Sequence, residues 1–389
     1  MMFSDRIEYP FKINELTKLI ESVDKKRLIN LSESNPTKAG LIHKKDILSC
    51  FSKTRNLKYE PDPKGIKEAR KVICDYYREK DIILSIDDIV ITSGTSEAYS
   101  FIFKILCNPF DNILIPQPGY PLFDYLASLE MVKTKPYKLE YTHNIGWKID
   151  FDFLISQIDE KTKAIVLINP NNPTGSYISE EEKKEIINIA KKYNLALISD
   201  EVFFDYNIDG KNYNSFAGDK ECLTFVLSGI SKILALPQMK LSWIVISGKE
   251  EIKKEAIERL ELVSDTFLSV SIPIQNSLKE FFKYGEKLKS KIINRVKENY
   301  FILQEYFNNS PVRVLKTSGG WSTILELPKI ISEEEWIKRL LLEENCLVYP
   351  GYFFDFEREA FCSLSLIVEK NLLIKGIEKI MQIFYRHQS

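Results

Sequence analysis

An α/β fold is predicted for this chain: a large domain whose mainly parallel sheet is flanked by helices, and a smaller α/β domain beside it. Two observations carry the prediction. Short β-rich runs alternate with longer helical patterns through the middle of the sequence, and several of the runs are apolar at nearly every position. A strand of that kind is buried on both faces, as in a parallel sheet covered by helices. The length of 389 residues agrees, exceeding one ordinary domain but suiting a large one plus a smaller one.

The elements follow in order. DDIVITSG (87–94) reads as strand, and TSEAYSFIFKILC after it as helix. DNILIPQP (111–118) is the next strand, leading into the helical GYPLFDYLASLEM. KAIVLINP (163–170) precedes SEEEKKEIINIAKKYN, whose acids come first and lysines last, as a helix dipole prefers. LALISD (195–200), TFVLSGI (224–230) and LSWIVIS (241–247) complete the strands. Beyond residue 250 the chain turns long and helical (EEIKKEAIERLELV, then YGEKLKSKIINRVKENYFILQEYF), and a shorter mixed region closes it. The expected division is a large domain over 46–285 and a small one built from 1–45 plus 286–389.

Composition narrows the function classes. The formal net charge is −1 and no basic stripe stands out, so nucleic acid is not an expected partner. The opening MMFSDRIEYPFK lacks the apolar core of a signal peptide, and no apolar run reaches the ~18 residues of a membrane span. The 6 cysteines are scattered without a C-x-x-C pair, which favours reduced thiols and a cytoplasmic location. With only 3 histidines, neither a histidine-rich metal site nor a Ser-His-Asp triad has material, and no metal is expected.

In open α/β sheets, ligands bind beyond the carboxyl ends of the strands. Those positions hold Gly94-Thr95-Ser96 opening a helix, Tyr120 within Pro118–Pro121, Asn172 within NNPTG (171–175), Asp200-Glu201, and Ser231-Lys232. Singly each has an ordinary explanation: a helix cap, core packing, a turn, a second cap, a solvated charge. Together they suit pyridoxal phosphate. That cofactor needs a lysine for its imine and an anion at the pyridine nitrogen so that the ring acts as an electron sink. It also needs a face to hold the ring and a helix N-terminus for the phosphate.

These motifs resemble those of the fold-type I pyridoxal-phosphate-dependent aminotransferases of class I/II, the superfamily of aspartate aminotransferase. NNPTG, then DEV, then SK at Ser231-Lys232 is the signature order. NLSESNP, YEPDPKG, SGTSEAY, PGYP and GYFFDF…LSL extend the likeness over nearly the whole chain. The resemblance implies that Lys232 forms the aldimine and then shuttles a proton as general base and acid. It implies that Asp200 pairs with the pyridinium nitrogen, Asn172 donates to the phenolic oxygen, and Tyr120 stacks on the ring. Thr95 and Ser96 would cradle the phosphate. Tyr59 would reach the phosphate from a partner subunit, giving a homodimer with shared active sites. Lys240 stands where the family has a phosphate-binding arginine, and keeps the charge without the bidentate fork.

The chain departs from the pattern elsewhere. Phe203 replaces a tyrosine that bonds the phenolic oxygen, removing one donor to the phenolate. Gly229 replaces a phosphate-binding serine, with Ser228 and Ser231 as neighbours. Ser363 stands where an arginine clamps the substrate carboxylate; Arg313 and Arg358 are nearby in sequence, and Trp321 of SGGW is either a substrate contact or small-domain core. The expected function is an aminotransferase exchanging an amino group between an amino acid (or amine) and a 2-oxo acid. The alternative is a β-eliminating lyase (C–S lyase or cyclopropane-synthase type), since the fold alone does not set the reaction. A non-catalytic regulator of this fold would carry a DNA-binding head, which is not read here. A degenerate scaffold would not be expected to keep Lys232, Asp200 and Asn172 together.

Overall fold

In the computed structural model, which describes residues 14–387 together with 4, 6 and 7, an eight-stranded sheet fills the middle of the chain. Its strands are β1 (Ile89–Thr92), β2 (Asn112–Gln117), β3 (Lys133–Thr142), β4 (Gly146–Ile149), β5 (Thr162–Ile168), β6 (Ala196–Asp200), β7 (Thr224–Gly229) and β8 (Ser242–Ser247). They lie in the order β1-β8-β7-β6-β5-β2-β3-β4. Parallel pairing joins β7, β6, β5, β2 and β3 in succession, while β8 and the edge strand β4 run antiparallel to their neighbours. The α/β class and the mainly parallel sheet are as expected.

Strands β3 and β4 are additions to the six read from the sequence. KTKPYKLEYT in β3 carries three lysines and a proline, and most of it is partly or fully exposed. Its pattern is that of a wet strand near a sheet edge, where Pro136 is tolerated. No apolar run marks it.

Alternation along the central strands sorts the sheet into two covered faces. Val90, Val166, Ile198, Leu227 and Ile244 pack on one side with Ala98, Tyr99 and Ile102 of α1 (Thr95–Leu106). Ile89, Leu167, Leu197, Val226 and Val245 pack on the other, with Ile186 of α2 (Glu180–Tyr193). Helix α2 starts on a capping box between Ser179 and Glu182 and stops at Asn194, whose φ of 54° is left-handed.

The long α3 (Leu278–Phe307) serves two cores. Leu278 and Phe281 belong to the sheet's core, whereas Leu288, Ile292, Val296 and Leu303 join Leu16, Leu31 and Leu41 from the N-terminal segment. The division we propose at 285/286 falls between these two sets. Antiparallel strands β9 (Arg313–Val314), β10 (Ser322–Glu326), β11 (Tyr349–Pro350) and β12 (Phe361–Ser365) form a second sheet in the order β9-β10-β12-β11. Most of the opening stretch read for a leader, together with 8–13 and 388–389 of the expected small domain, lies outside the described residues. Among the described residues no helix is long and apolar enough to cross a membrane, and no cluster of acidic, histidine and cysteine side chains could hold a metal.

Candidate active site

Strands β1, β2, β5, β6 and β7 end on one edge of the sheet, and antiparallel β8 begins there. Asp200 is the last residue of β6. Alternating with Ile198, it points to the face covered by α1. From that helix Tyr99 donates its hydroxyl to Asp200 Oδ2 at 3.1 Å, and the Val202 N–H donates to Oδ1 at 3.2 Å. Burial pushes the Asp200 carboxyl up to about 6, against the opposing pull of these two bonds and the Lys232 charge. A carboxylate this dehydrated is stabilised by any cation brought against it.

Lys232 sits in a single helical turn, Ile230–Ile233, directly after β7. Its Nζ lies 5.4 Å from the ring centroids of both Phe203 and Trp321. Those rings meet edge to face, 5.2 Å apart. Burial among them lowers the amine's pKa, with Asp200 acting in the opposite sense. The backbone is held as firmly as the side chain is enclosed: Tyr206 directs its hydroxyl to the Lys232 carbonyl at 2.7 Å and to that of Ile233 at 3.1 Å. Trp321 is buried in the core built largely from the C-terminal part of the chain, and its ring is one wall around Lys232.

The segment leaving β6 organises these contacts. Glu201 turns inward and accepts from Ser199 Oγ (3.0 Å), Ser215 Oγ (2.5 Å) and the Phe216 N–H (2.9 Å). Burial nevertheless pushes it up to about 7. Asp205, also buried, takes Tyr76 Oη at 2.8 Å, Lys80 Nζ at 2.7 Å and Lys289 Nζ at 2.8 Å. Burial alone would raise the Asp205 pKa, and the two ammonium groups hold it below the usual carboxylate range. SGGW docks against the same segment, with Gly320 N–H bonding the Tyr206 carbonyl at 2.9 Å and Ile208 N–H the Ser318 carbonyl at 2.8 Å.

At the start of α1 the N-cap is Gly94 and no side chain caps the helix, so Thr95 and Ser96 are not cap residues. The first-turn N–H groups have no partner within a helix by geometry. Lys240, in left-handed conformation at φ 51°, brings its ammonium here: a β-carbon at Gly94 would stand 3.4 Å from Lys240 Nζ. A cation beside the positive end of a helix is unfavourable unless an anion lies with them. Thr95, Ser96 and Lys240 thus form an electropositive corner, on the α1 side of the edge that carries Asp200 and Lys232.

Within NNPTG the turn is made by Asn171, whose Oδ1 accepts from Thr174 Oγ1 at 2.9 Å. Gly175, at φ 69°, lies where a β-carbon would strike Thr317 and the Gly319 carbonyl. Asn172 is left with a half-buried amide that bonds no described residue. Tyr120 packs edge to face on Phe123 at 5.9 Å, and its phenol is raised by burial and by Asp200, which puts it within that carboxylate's field. Tyr59 stands apart, exposed at the rim of a groove shared with Pro61, Leu268 and Ser269. Ser363 is buried in β12 opposite Ile324 and Tyr349. Arg313 pairs with Glu326 at 2.7 Å, and Arg358 borders a surface cavity with Lys138 and Trp147.

Sequence reasoning passed over Tyr99 and Tyr206, which position Asp200 and Lys232. Tyr99 lies within the quoted SGTSEAY, but its spacing from Asp200 carries no signal. Tyr206 bonds a backbone carbonyl, which no side-chain pattern records.

The family described as aminotransferase class I and II matches residues 26–367. A glutamate-pyruvate aminotransferase of Haemophilus influenzae is 28% identical over 366 residues, covering 91% of this chain and 90% of that protein. An alanine aminotransferase of Mycobacterium tuberculosis is 28% identical over 370 residues, covering 91% and 85%. The crystal structure of an aminotransferase from Escherichia coli superposes with a TM-score of 0.82 at 27% identity, covering 95% of this chain and 93% of that one.

Proposed function

Because the chain belongs to the class I and II aminotransferase family and is a transaminase, we propose that pyridoxal 5′-phosphate is its cofactor and that Lys232 carries the chemistry. The observation that supports this most is the pairing of a dehydrated carboxylate, Asp200, with a dehydrated amine, Lys232, on one sheet edge. When bound, the cofactor supplies an electron sink for the charge left at the substrate's Cα.

The residues fit that group. Asp200, anchored by Tyr99 and the Val202 N–H, would hold the proton on the pyridine nitrogen. Asn172, with its amide free, would donate to the phenolic oxygen, and Tyr120 would cover the ring. Thr95, Ser96, the first-turn N–H groups of α1 and Lys240 would receive the phosphate. Lys232 Nζ, its pKa lowered by burial, would be the base that takes the proton from the substrate's Cα and holds it for return. Phe203 and Trp321 keep water from that amine, and Tyr206 fixes its backbone. With Phe203 in place of a phenol, Asn172 is left as the donor proposed for the phenolic oxygen.

We further propose a cytoplasmic homodimer in which the exposed Tyr59 reaches the partner's phosphate corner. Small 2-amino acids are the proposed donors, supported by the names of the glutamate-pyruvate and alanine aminotransferases that resemble the chain. The relatives being named aminotransferases disfavours the lyase alternative. The test mixes purified protein with alanine, with glutamate and with amines lacking a carboxylate, following the absorbance of bound cofactor. Amino acids should shift that absorbance and a 2-oxo acid should restore it. Release of ammonia and pyruvate from a β-substituted donor, with no such reversible change, would replace transamination by elimination.

A further inference from the structure

We propose that Ser242 supplies the hydroxyl donor to the cofactor's phosphate that position 229 lacks, an inference that rests on the cofactor assignment above. Gly229 ends β7, and Ser242, which opens β8, is its partner in register. Paired residues on neighbouring strands direct their side chains to the same face. Here it is the α1 face, since Leu227 and Ile244 both pack there. A β-carbon at Gly229 would come within 2.8 Å of Ser242 Cβ, and closer still to its Oγ. The space a side chain at 229 would use is therefore filled by the hydroxymethyl group of Ser242, offered from the adjacent strand.

The surrounding groups give that hydroxyl a purpose. Thr92 pairs with Ser242 on its other side and is already committed, donating to the Gly94 carbonyl at 3.2 Å. Ser242 is buried, yet its hydroxyl bonds no described residue. Through Thr92, this row of the sheet leads directly to Gly94, the N-cap of the twelve-residue α1, over which Lys240 places its ammonium. A hydroxyl, an ammonium and the open first turn of a helix are all donors, and an oxyanion is the ligand that satisfies them together. Ser228 does not provide the missing hydroxyl. Alternating with Gly229 it faces the other side of the sheet, and its Oγ lies 3.5 Å from the Glu201 carbonyl. The strand partner, not the sequence neighbour, replaces the absent serine. It also offsets part of what Lys240 gives up, because a point ammonium lacks the second N–H arm of a guanidinium fork.

Two ligands separate this role from simple strand packing: pyridoxal 5′-phosphate, and pyridoxal, which has the same ring and aldehyde without phosphate. Their dissociation constants are measured on the full chain stripped of cofactor, with thermal melting as a check on folding. Ser242→Ala is expected to weaken the phosphorylated ligand about tenfold or more while moving pyridoxal by less than about twofold. The exchange Ser242→Gly with Gly229→Ser, which carries the hydroxyl back to β7, is expected to recover most of the lost affinity. Equal weakening of both ligands in a folded variant, unchanged affinity, or no recovery in the exchange variant would overturn the proposal. A wild-type protein that takes up neither ligand would overturn the cofactor assignment itself, and this inference with it.

Discussion

Asp200 is held in the interior, and among the described residues the Lys232 amine is the cation that acts on it. Its carboxyl is pushed up to about 6 by burial, from an ordinary value near 4. Between those two values the folded state keeps a proton that the unfolded state has lost. The contribution is therefore fully present below about pH 4 and is lost as pH rises through about 6. Glu201, raised to about 7, acts in the same direction. We expect cofactor-free wild-type protein to lose more stability between about pH 4 and about pH 8 than Asp200→Asn does, by on the order of 2–3 kcal/mol. Denaturant unfolding across that range measures it, and parallel pH profiles for the two proteins would contradict it. At this scale the positions were legible: Asp200, Asn172 and Lys232 directly follow predicted strands, while their roles come from the family resemblance. Tyr99 was not, because its partner is 101 residues away. Ser242 was not, because a collision between two strands has no trace in either strand's own sequence.

The segment that leaves β6 shows how one element assembles a site. Within seven residues it presents Asp200 to the edge, turns Glu201 back into the core and lays Phe203 against Lys232. It then anchors Asp205 and hands Tyr206 to the Lys232 carbonyl. Asp205 is the pin: it draws Lys80, Lys289 of α3 and Tyr76 to one buried point. Asp205→Ala leaves two ammonium groups facing a vacated pocket, and we expect a loss of about 3–5 kcal/mol in denaturant unfolding. Adding Lys80→Met and Lys289→Met should recover much of it, since apolar replacement of a buried ion cluster is often neutral. A loss below about 1 kcal/mol in the single variant would mean the cluster is no more than a surface pair. The sequence revealed the strands that are apolar throughout and missed β3 and β4, whose lysines and Pro136 follow from a wet edge.

At the scale of the whole molecule, two cores meet around one lysine. The sheet's carboxyl edge supplies the charged groups, and Trp321 from the other core brings its ring to 5.4 Å from Lys232 Nζ. That convergence was not legible, because SGGW reads equally well as core or as site until the fold brings it to Tyr206. The fold class was legible, because buried parallel strands and amphipathic helices leave separate periodicities. The two lysines eight positions apart are separated by the same architecture. Lys232 is enclosed by aromatic rings, whereas Lys240 is exposed at the helix start beside Gly94. In the proposed function Lys232 is the covalent one. Protein loaded with pyridoxal 5′-phosphate would be reduced with borohydride, digested, and its peptides mapped by mass. The pyridoxyl group is expected on Lys232 alone; its recovery on Lys240, or on no lysine of the 227–245 stretch, would contradict the assignment.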